Sequence, residues 1–347
     1  MEFYDWHKTL SYNADVTIVI GSRGVGKTYG IRKQCINDFI KSGFTFAEIC
    51  RYKSELGPIM DGYFSRLSDE FPDYMFKTEK QKGYIAKIPG EKEKAEWHII
   101  TYFLALTDSQ NAKKRTYNNV KRIIFDEAIL EAHDKHHRYL NREYTKLANV
   151  VDTITRERPD SDFKPHLYLL GNAVDVTNPF FVFYGINTMP DFGFRWYRNK
   201  TVLLHYCDPK EYADNKLTGT LSGRMIAGTA EEASAARNEF VTGGIDLIDK
   251  KPRSADFELG FINAGHSLGV WSDYKNGYYF INRKIPNNTE RPIYYITRED
   301  ATTNLLAARR ANRWMQTLSE AHYSNIIRYE SLAIMHEFLD MLQKFGL

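Results

Sequence analysis

One octapeptide narrows what this chain can fold into more than any other stretch. Gly21-Ser22-Arg23-Gly24-Val25-Gly26-Lys27-Thr28 reads as a glycine, four residues, then Gly-Lys-Thr, the full Walker A spacing. A loop that wraps a triphosphate must turn its backbone N–H groups inward, which demands glycine dihedrals, and the helix after it adds its positive N-terminus. The flanks agree with that reading. Val16-Thr17-Ile18-Val19-Ile20 is a short, β-branched run ending in glycine, the pattern of a strand buried on both faces. Behind the loop, Ile31, Cys35, Phe39 and Ile40 fall on helical spacing, and Gly43 is placed to end the helix. The backbone of Gly21, Ser22, Arg23, Gly24, Val25 and Gly26 is therefore expected to hold phosphates. Lys27 is expected to reach the β and γ groups, and the Thr28 hydroxyl to join a magnesium shell. The alternative, a chance glycine loop, leaves both flanks unexplained.

A second strand, Arg122-Ile123-Ile124-Phe125, runs into Asp126-Glu127. An acid at the tip of a neighbouring strand can hold magnesium, so Asp126 is the candidate metal carboxylate. Glu127, directly after it, is placed to polarise a water, which favours an ATPase over many GTPases and small-molecule kinases. The plainer reading has both acids capping the next helix. Asn172 ends the His166–Leu170 strand, where a polar side chain can meet a γ-phosphate, although an Asn after Gly171 also simply forms turns. Arg156 and Arg158 close an amphipathic helix marked by Leu140, Tyr144, Leu147, Val151 and Ile154. Either is a candidate arginine finger, and either would also suit a helix C-terminus. Lys113-Lys114-Arg115 faces a phosphate backbone or a neighbouring nucleotide, or is a solvated loop. His133, His136 and His137 have poor metal spacing and no cysteine nearby.

At 347 residues the chain is long for one core, and two domains are expected. Strands alternating with helices over the first part give an α/β domain with a parallel sheet, drawn over residues 1–205. Residues 206–245, polar and rich in small residues, read as a linker subdomain. Residues 246–347 carry strands at Phe257–Ile262, Ser267–Trp271, Tyr278–Asn282 and Ile293–Ile296, then a closing helix marked by Ile326, Tyr329, Ala333, Leu339 and Leu342, which makes an α+β domain. The net charge is only +3, so any polyanion site must be a local patch. Three widely spaced cysteines, Cys35, Cys50 and Cys207, argue against a disulfide framework and read as buried thiols. No apolar run approaches a membrane span and the start lacks a signal pattern, so a cytoplasmic protein with no membrane partner is expected.

Read in order, these segments resemble the genome-packaging ATPases of small short-tailed phages, the salasvirus type. The resemblance rests on Ile18–Thr28, Arg51-Tyr52-Lys53-Ser54-Glu55-Leu56, Ile124–Glu127 and Asp152–Arg156. It rests more particularly on Gly171-Asn172-Ala173-Val174-Asp175-Val176-Thr177-Asn178-Pro179 and Leu268-Gly269-Val270-Trp271. It implies an additional-strand, catalytic-glutamate P-loop domain and a degenerate ribonuclease-H-like C-terminal domain contacting DNA and portal. It also implies a homopentameric ring at the capsid portal vertex in the host cytoplasm, with ATP and Mg2+ as cofactors, double-stranded DNA and the portal connector as partners, and in some members a packaging RNA. Arg156 would act on the neighbour's ATP, Lys113 would match a second position that reaches across, and Lys53 a basic position near the nucleotide. Asp246, Asp256, Glu258 and Asp273 do not form a convincing four-acid nuclease cluster, so no nuclease activity is expected. Two rivals share the nucleotide site: a helicase or remodelling ATPase, and a nucleotide switch.

Overall fold

The computed structural model describes residues 4–130, 139–140, 142–155, 164–174, 178–186, 190–229, 232, 236–238, 240, 245–263, 265–303 and 305–347. They form two compact units, one of residues 1–175 with 190–241, the other of residues 176–189 with 242–347. These units differ from the consecutive segments expected from sequence, because the chain returns to the first unit after residue 189 rather than leaving it once.

The first unit is built on nine strands: β1 (Val16–Ile20), β2 (Thr45–Cys50), β3 (Tyr74–Glu79), β4 (Lys82–Lys87), β5 (His98–Ala105), β6 (Val120–Phe125), β7 (His166–Gly171), β8 (Gly193–Tyr197) and β9 (Val202–Tyr206). Their order is β3-β4-β5-β2-β6-β7-β1-β9-β8. Strands β5, β2, β6, β7, β1 and β9 are parallel, while β3/β4, β4/β5 and β8/β9 pair antiparallel. The sheet is thus mixed: a parallel centre with antiparallel margins. Strand β7 is inserted between β1 and β6, so the strands leading to the glycine loop and to Asp126-Glu127 are not neighbours. Because the central strands run the same way, their C-terminal loops converge at one edge, where α/β sheets place ligands.

Local sequence accounts for the elements around that edge. Helix α1 (Trp6–Ser11) is capped by Asp5, whose carboxylate accepts from the His7 and Lys8 amides. Helix α2 (Lys27–Ser42) stops at Gly43, which takes φ 68° and donates to the Phe39 carbonyl. Two short helices follow, α3 (Leu56–Met60) and α4 (Ser109–Ala112), then α5 (Glu143–Thr155). Val19, Ile31, Ile36, Phe46, Phe103 and Leu170 are among the buried side chains of this core. After α6 (Pro179–Tyr184), which belongs to the other unit, come α7 (Lys210–Gly219) and α8 (Leu221–Ile226) in the first. Cys35 and Cys50 are buried, but Cys207 is only partly so, which corrects the expectation of three buried thiols.

The second unit carries β10 (Asp256–Asn263), β11 (His266–Asp273), β12 (Tyr278–Asn282), β13 (Ile293–Tyr295), β14 (Leu306–Ala307) and β15 (Ile327–Tyr329), in the order β14-β13-β10-β11-β12-β15. An antiparallel meander β10-β11-β12 extended by parallel β13 and β14 is the ribonuclease-H-like arrangement. Helices Asn312–Tyr323 and Leu332–Lys344 supply Met315, Leu318, Phe338 and Met341 to its core. Ile326 and Tyr329 do not lie on the closing helix. Ile327-Arg328-Tyr329 alternates buried, half-buried, buried as a strand beside β12, and the helix starts only after Ser331, whose hydroxyl accepts from the Ile334 amide. Glu258 accepts from Ser272 Oγ at 2.5 Å and from the Tyr274 hydroxyl. Asp273 caps the Lys275-Asn276-Gly277 turn, accepting from Lys275 N at 3.2 Å and Asn276 Nδ2 at 2.6 Å.

Candidate nucleotide site

The loop from β1 into α2 takes the shape its glycines permit. Gly24 and Gly26 adopt φ of 92° and 86°, a region that strains any residue with a Cβ, and Gly26 is the N-cap of α2. Lys27 folds back over this loop. Its Nζ donates to the Gly21 carbonyl at 2.6 Å, the Ser22 carbonyl at 3.0 Å and Asn172 Oδ1 at 3.3 Å. Burial pushes the ammonium down to about 8, opposed in part by Cys207 and Asp126. Asn172, at the end of β7, is therefore brought to the phosphate-loop lysine. Arg23, Lys27, Thr28, Asp126, Glu127 and Asn172 all line one cleft of about 730 Å³, within the usual size of a small-molecule site.

Three parts of the chain outside the motif hold this loop. From the N-terminus, Trp6 Nε1 donates to the Lys27 carbonyl at 2.8 Å and the Tyr4 amide to the Val25 carbonyl at 2.9 Å. From α7, the Tyr212 hydroxyl at 2.6 Å and Lys216 Nζ at 3.0 Å both donate to the Arg23 carbonyl. From the segment after α8, the Ala236 carbonyl accepts Ser22 Oγ at 2.9 Å, and Asn238 Nδ2 donates to the Ile20 and Cys207 carbonyls at 3.3 and 2.8 Å. Tyr212, Lys216, Ala236 and Asn238, from the segment expected to be a linker, thus reach the phosphate loop. Nothing in that segment's polar, small-residue composition signalled that, because a hydrogen bond to a backbone carbonyl leaves no pattern in sequence.

The acidic pair sits at the end of β6. Asp126 is half-buried and Glu127 exposed, and Asp126 Oδ1 accepts from the Glu127 amide at 3.0 Å. Glu127 takes φ 51°, unusual for a residue with a long side chain. Arg51, buried at the end of β2, donates to the Glu127 carbonyl at 3.3 Å and the Ala128 carbonyl at 2.9 Å. A magnesium ion suits this donor set. The Thr28 hydroxyl and the Asp126 carboxylate are hard oxygen ligands on one cleft, and the Asp126 charge is felt at Lys27.

The remaining predicted residues scatter. Lys53 is exposed, pairs with Asp108 at 3.4 Å, and is absent from the lining of the Lys27 cleft, as is Lys113, exposed at the C-cap of α4. The two flank the same short helical stretch, since Asp108 is the N-cap of α4. Arg156, Arg158, His133, His136 and His137 lie outside the described residues.

With this geometry in hand, the comparisons with known proteins are specific. The family model described as Podovirus DNA encapsidation protein (Gp16) matches residues 1–345. The DNA packaging protein of Bacillus phage phi29 is 30% identical over 344 residues, 99% of this chain and 97% of that protein. A chain of the bacteriophage phi29 viral genome packaging motor assembly superposes with TM-score 0.69 at 26% identity, covering 99% of each chain. A chain of the phi28 gp11 DNA packaging motor does so with TM-score 0.69 at 20% identity, a likeness of fold alone.

Proposed function

We infer that this chain, which belongs to the Podovirus DNA encapsidation protein (Gp16) family, is an ATPase motor that drives double-stranded DNA into a preformed capsid. The observation that carries the reading is the meeting of Lys27, Asn172 and the Asp126-Glu127 pair at one cleft, in a chain that matches phage packaging proteins along nearly its whole length. Backbone amides of Gly21 to Gly26 and the Lys27 ammonium bind the triphosphate, and burial makes that ammonium's field strong. Thr28 and Asp126 hold magnesium, which when bound offsets charge on the transferring phosphoryl group. Glu127 orients a water toward the γ-phosphorus and accepts its proton as the bond to ADP breaks. Asn172 positions the γ-phosphate or that water.

The finer assignments complete the proposal. Subunits assemble into a ring, a homopentamer, at the portal vertex in the host cytoplasm, against the connector and, in some relatives' manner, a packaging RNA. Arg156 and Lys113 then act on a neighbour's nucleotide, in keeping with Lys113 lining no part of its own cleft, and Lys53 is a basic position near the nucleotide. Residues 206–245 serve as the linker, anchored on the first unit through the bonds of Tyr212, Lys216, Ala236 and Asn238, and 246–347 contact DNA and portal without cutting DNA. ATP binding tightens the ring on the duplex, hydrolysis changes subunit contacts, and release resets the grip. Because the motor must pass any sequence, its DNA contacts are to phosphate.

Steady-state hydrolysis with and without long duplex DNA tests the reading, for the parent, Glu127→Gln and Arg156→Ala. Duplex should stimulate the parent, and both variants should lose at least about a hundredfold in turnover, the usual cost of removing a transition-state partner. Hydrolysis indifferent to DNA would return the chain to a nucleotide switch, and strand separation on a forked duplex would make it a helicase.

A further inference from the structure

We propose that the buried Arg51–Glu143 pair is a positioning device for hydrolysis, fixing Glu127 through its backbone; this rests on the assignment of Glu127 as the water-activating carboxylate. Arg51 donates through Nε to Glu143 Oε2 at 2.9 Å and through one terminal nitrogen to Oε1 at 2.8 Å. The remaining edges of the same guanidinium reach the Glu127 and Ala128 carbonyls. Both side chains are removed from water, at 3% and 0% exposure, and the Glu143 carboxylate holds the Arg51 charge in place. Glu143 Oε2 also accepts from the Leu140 amide at 2.7 Å, and the guanidinium lies over the Phe125 ring at 5.2 Å and the Tyr139 ring at 5.4 Å.

The arrangement matters because of what it grips. A left-handed Glu persists only where its surroundings over-determine it. Glu127 is held at its amide by Asp126 and at its carbonyl by Arg51, and the next residue is held at both ends, its amide donating to the Leu170 carbonyl at 2.8 Å. A buried ion pair that only joined β2 to α5 would have no need to address these two carbonyls. The planar fork does what an ammonium cannot: it spans a carboxylate on one edge and two carbonyls on the other. Glu143 opens α5, so the first turn of that helix is tied to the backbone of Glu127.

A double-mutant cycle on the full chain decides the matter, with Arg51→Lys, Glu127→Gln and both together, read by single-turnover hydrolysis, binding of a fluorescent ATP analogue and thermal unfolding. Arg51→Lys retains the charge beside Glu143. Acting through Glu127, it should lower turnover by about a hundredfold, the scale of a misplacement near 1 Å. It should leave analogue affinity within about threefold and add almost nothing in the Glu127→Gln background. Glu143→Gln, which keeps the side chain's shape, should show a smaller loss of the same kind. Losses that multiply in the double variant, or a fall in turnover that follows affinity or melting temperature, overturn the proposal. Parental turnover in Glu127→Gln alone would sink the assignment of Glu127 itself, and this inference with it.

Discussion

At Lys27 a positive charge sits where little water reaches it, and that has a measurable consequence. Burial lowers its pKa from 10.5 to about 8. The folded protein therefore sheds the proton at a pH where the unfolded chain still holds it, so this group's penalty on stability is full below pH 8 and fades as pH rises toward 10.5. Nucleotide binding has the opposite sign, because triphosphate needs the ammonium. Affinity for a fluorescent ATP analogue should hold steady from pH 7 to 8, then weaken by up to about tenfold per unit above it, with one proton taken up on binding. Affinity flat to pH 9.5 would place the proton on Lys27 throughout and refute the lowered value. That Lys27, Asp126 and Glu127 line one cleft was legible from the glycine motif and the strand before Asp126, because phosphate and metal chemistry fix residue type and spacing together. Arg51, Trp6 and Lys216 were not, because each acts on a backbone carbonyl, and a carbonyl carries no residue identity to read.

Between helices, one contact pits propensity against packing. Gly30 lies in the second turn of α2, where alanine would ordinarily add about 0.5–1 kcal/mol. A Cβ there would sit 2.5 Å from Trp6 Cδ1. That ring cannot easily give way, being 5% exposed, hydrogen-bonded to the Lys27 carbonyl and edge-on to Tyr4 and Tyr168. Overpacking of this kind costs about 1–3 kcal/mol, so Gly30→Ala should destabilise on balance. In a Trp6→Ala background, itself weaker by about 3–5 kcal/mol, the same change should stabilise. Urea unfolding of the four proteins gives the answer, and destabilisation in both backgrounds would remove Trp6 as the cause. The elements themselves were legible where one rule acted alone. β1, β6 and β7 are buried on both faces and read as apolar runs. β3 and β4 escaped because their hairpin is margin, half-buried with lysines and a glutamate within it. Ile327-Arg328-Tyr329 was absorbed into a helix because three residues cannot establish a period of two against thirteen helical ones after them.

At the scale of the whole molecule the telling feature, among the described residues, is that each compact unit has a buried cluster sharing no residue with the other's. One gathers Ile31, Phe46, Phe103 and Leu170, the other Phe261, Val270, Met315 and Phe338. Length leads to an expectation of two domains but gives no sign that α6 joins the second unit before β8 and β9 complete the first, since topology is set by packing partners far along the chain. A ligand that binds one folded body stabilises that body by mass action, by about 2.7 kcal/mol at a hundred times its Kd. Calorimetry should therefore resolve two transitions, of which a non-hydrolysable ATP analogue with magnesium raises one. Phe338→Ala, which opens a cavity at a fully buried site and costs about 3–5 kcal/mol, should lower the other and leave the nucleotide-responsive transition in place. A single transition shifted by both analogue and Phe338→Ala would mean that the two cores melt as one. Nucleotide energy would then be felt directly in the second unit's fold, and not only through the segments that join it to the first.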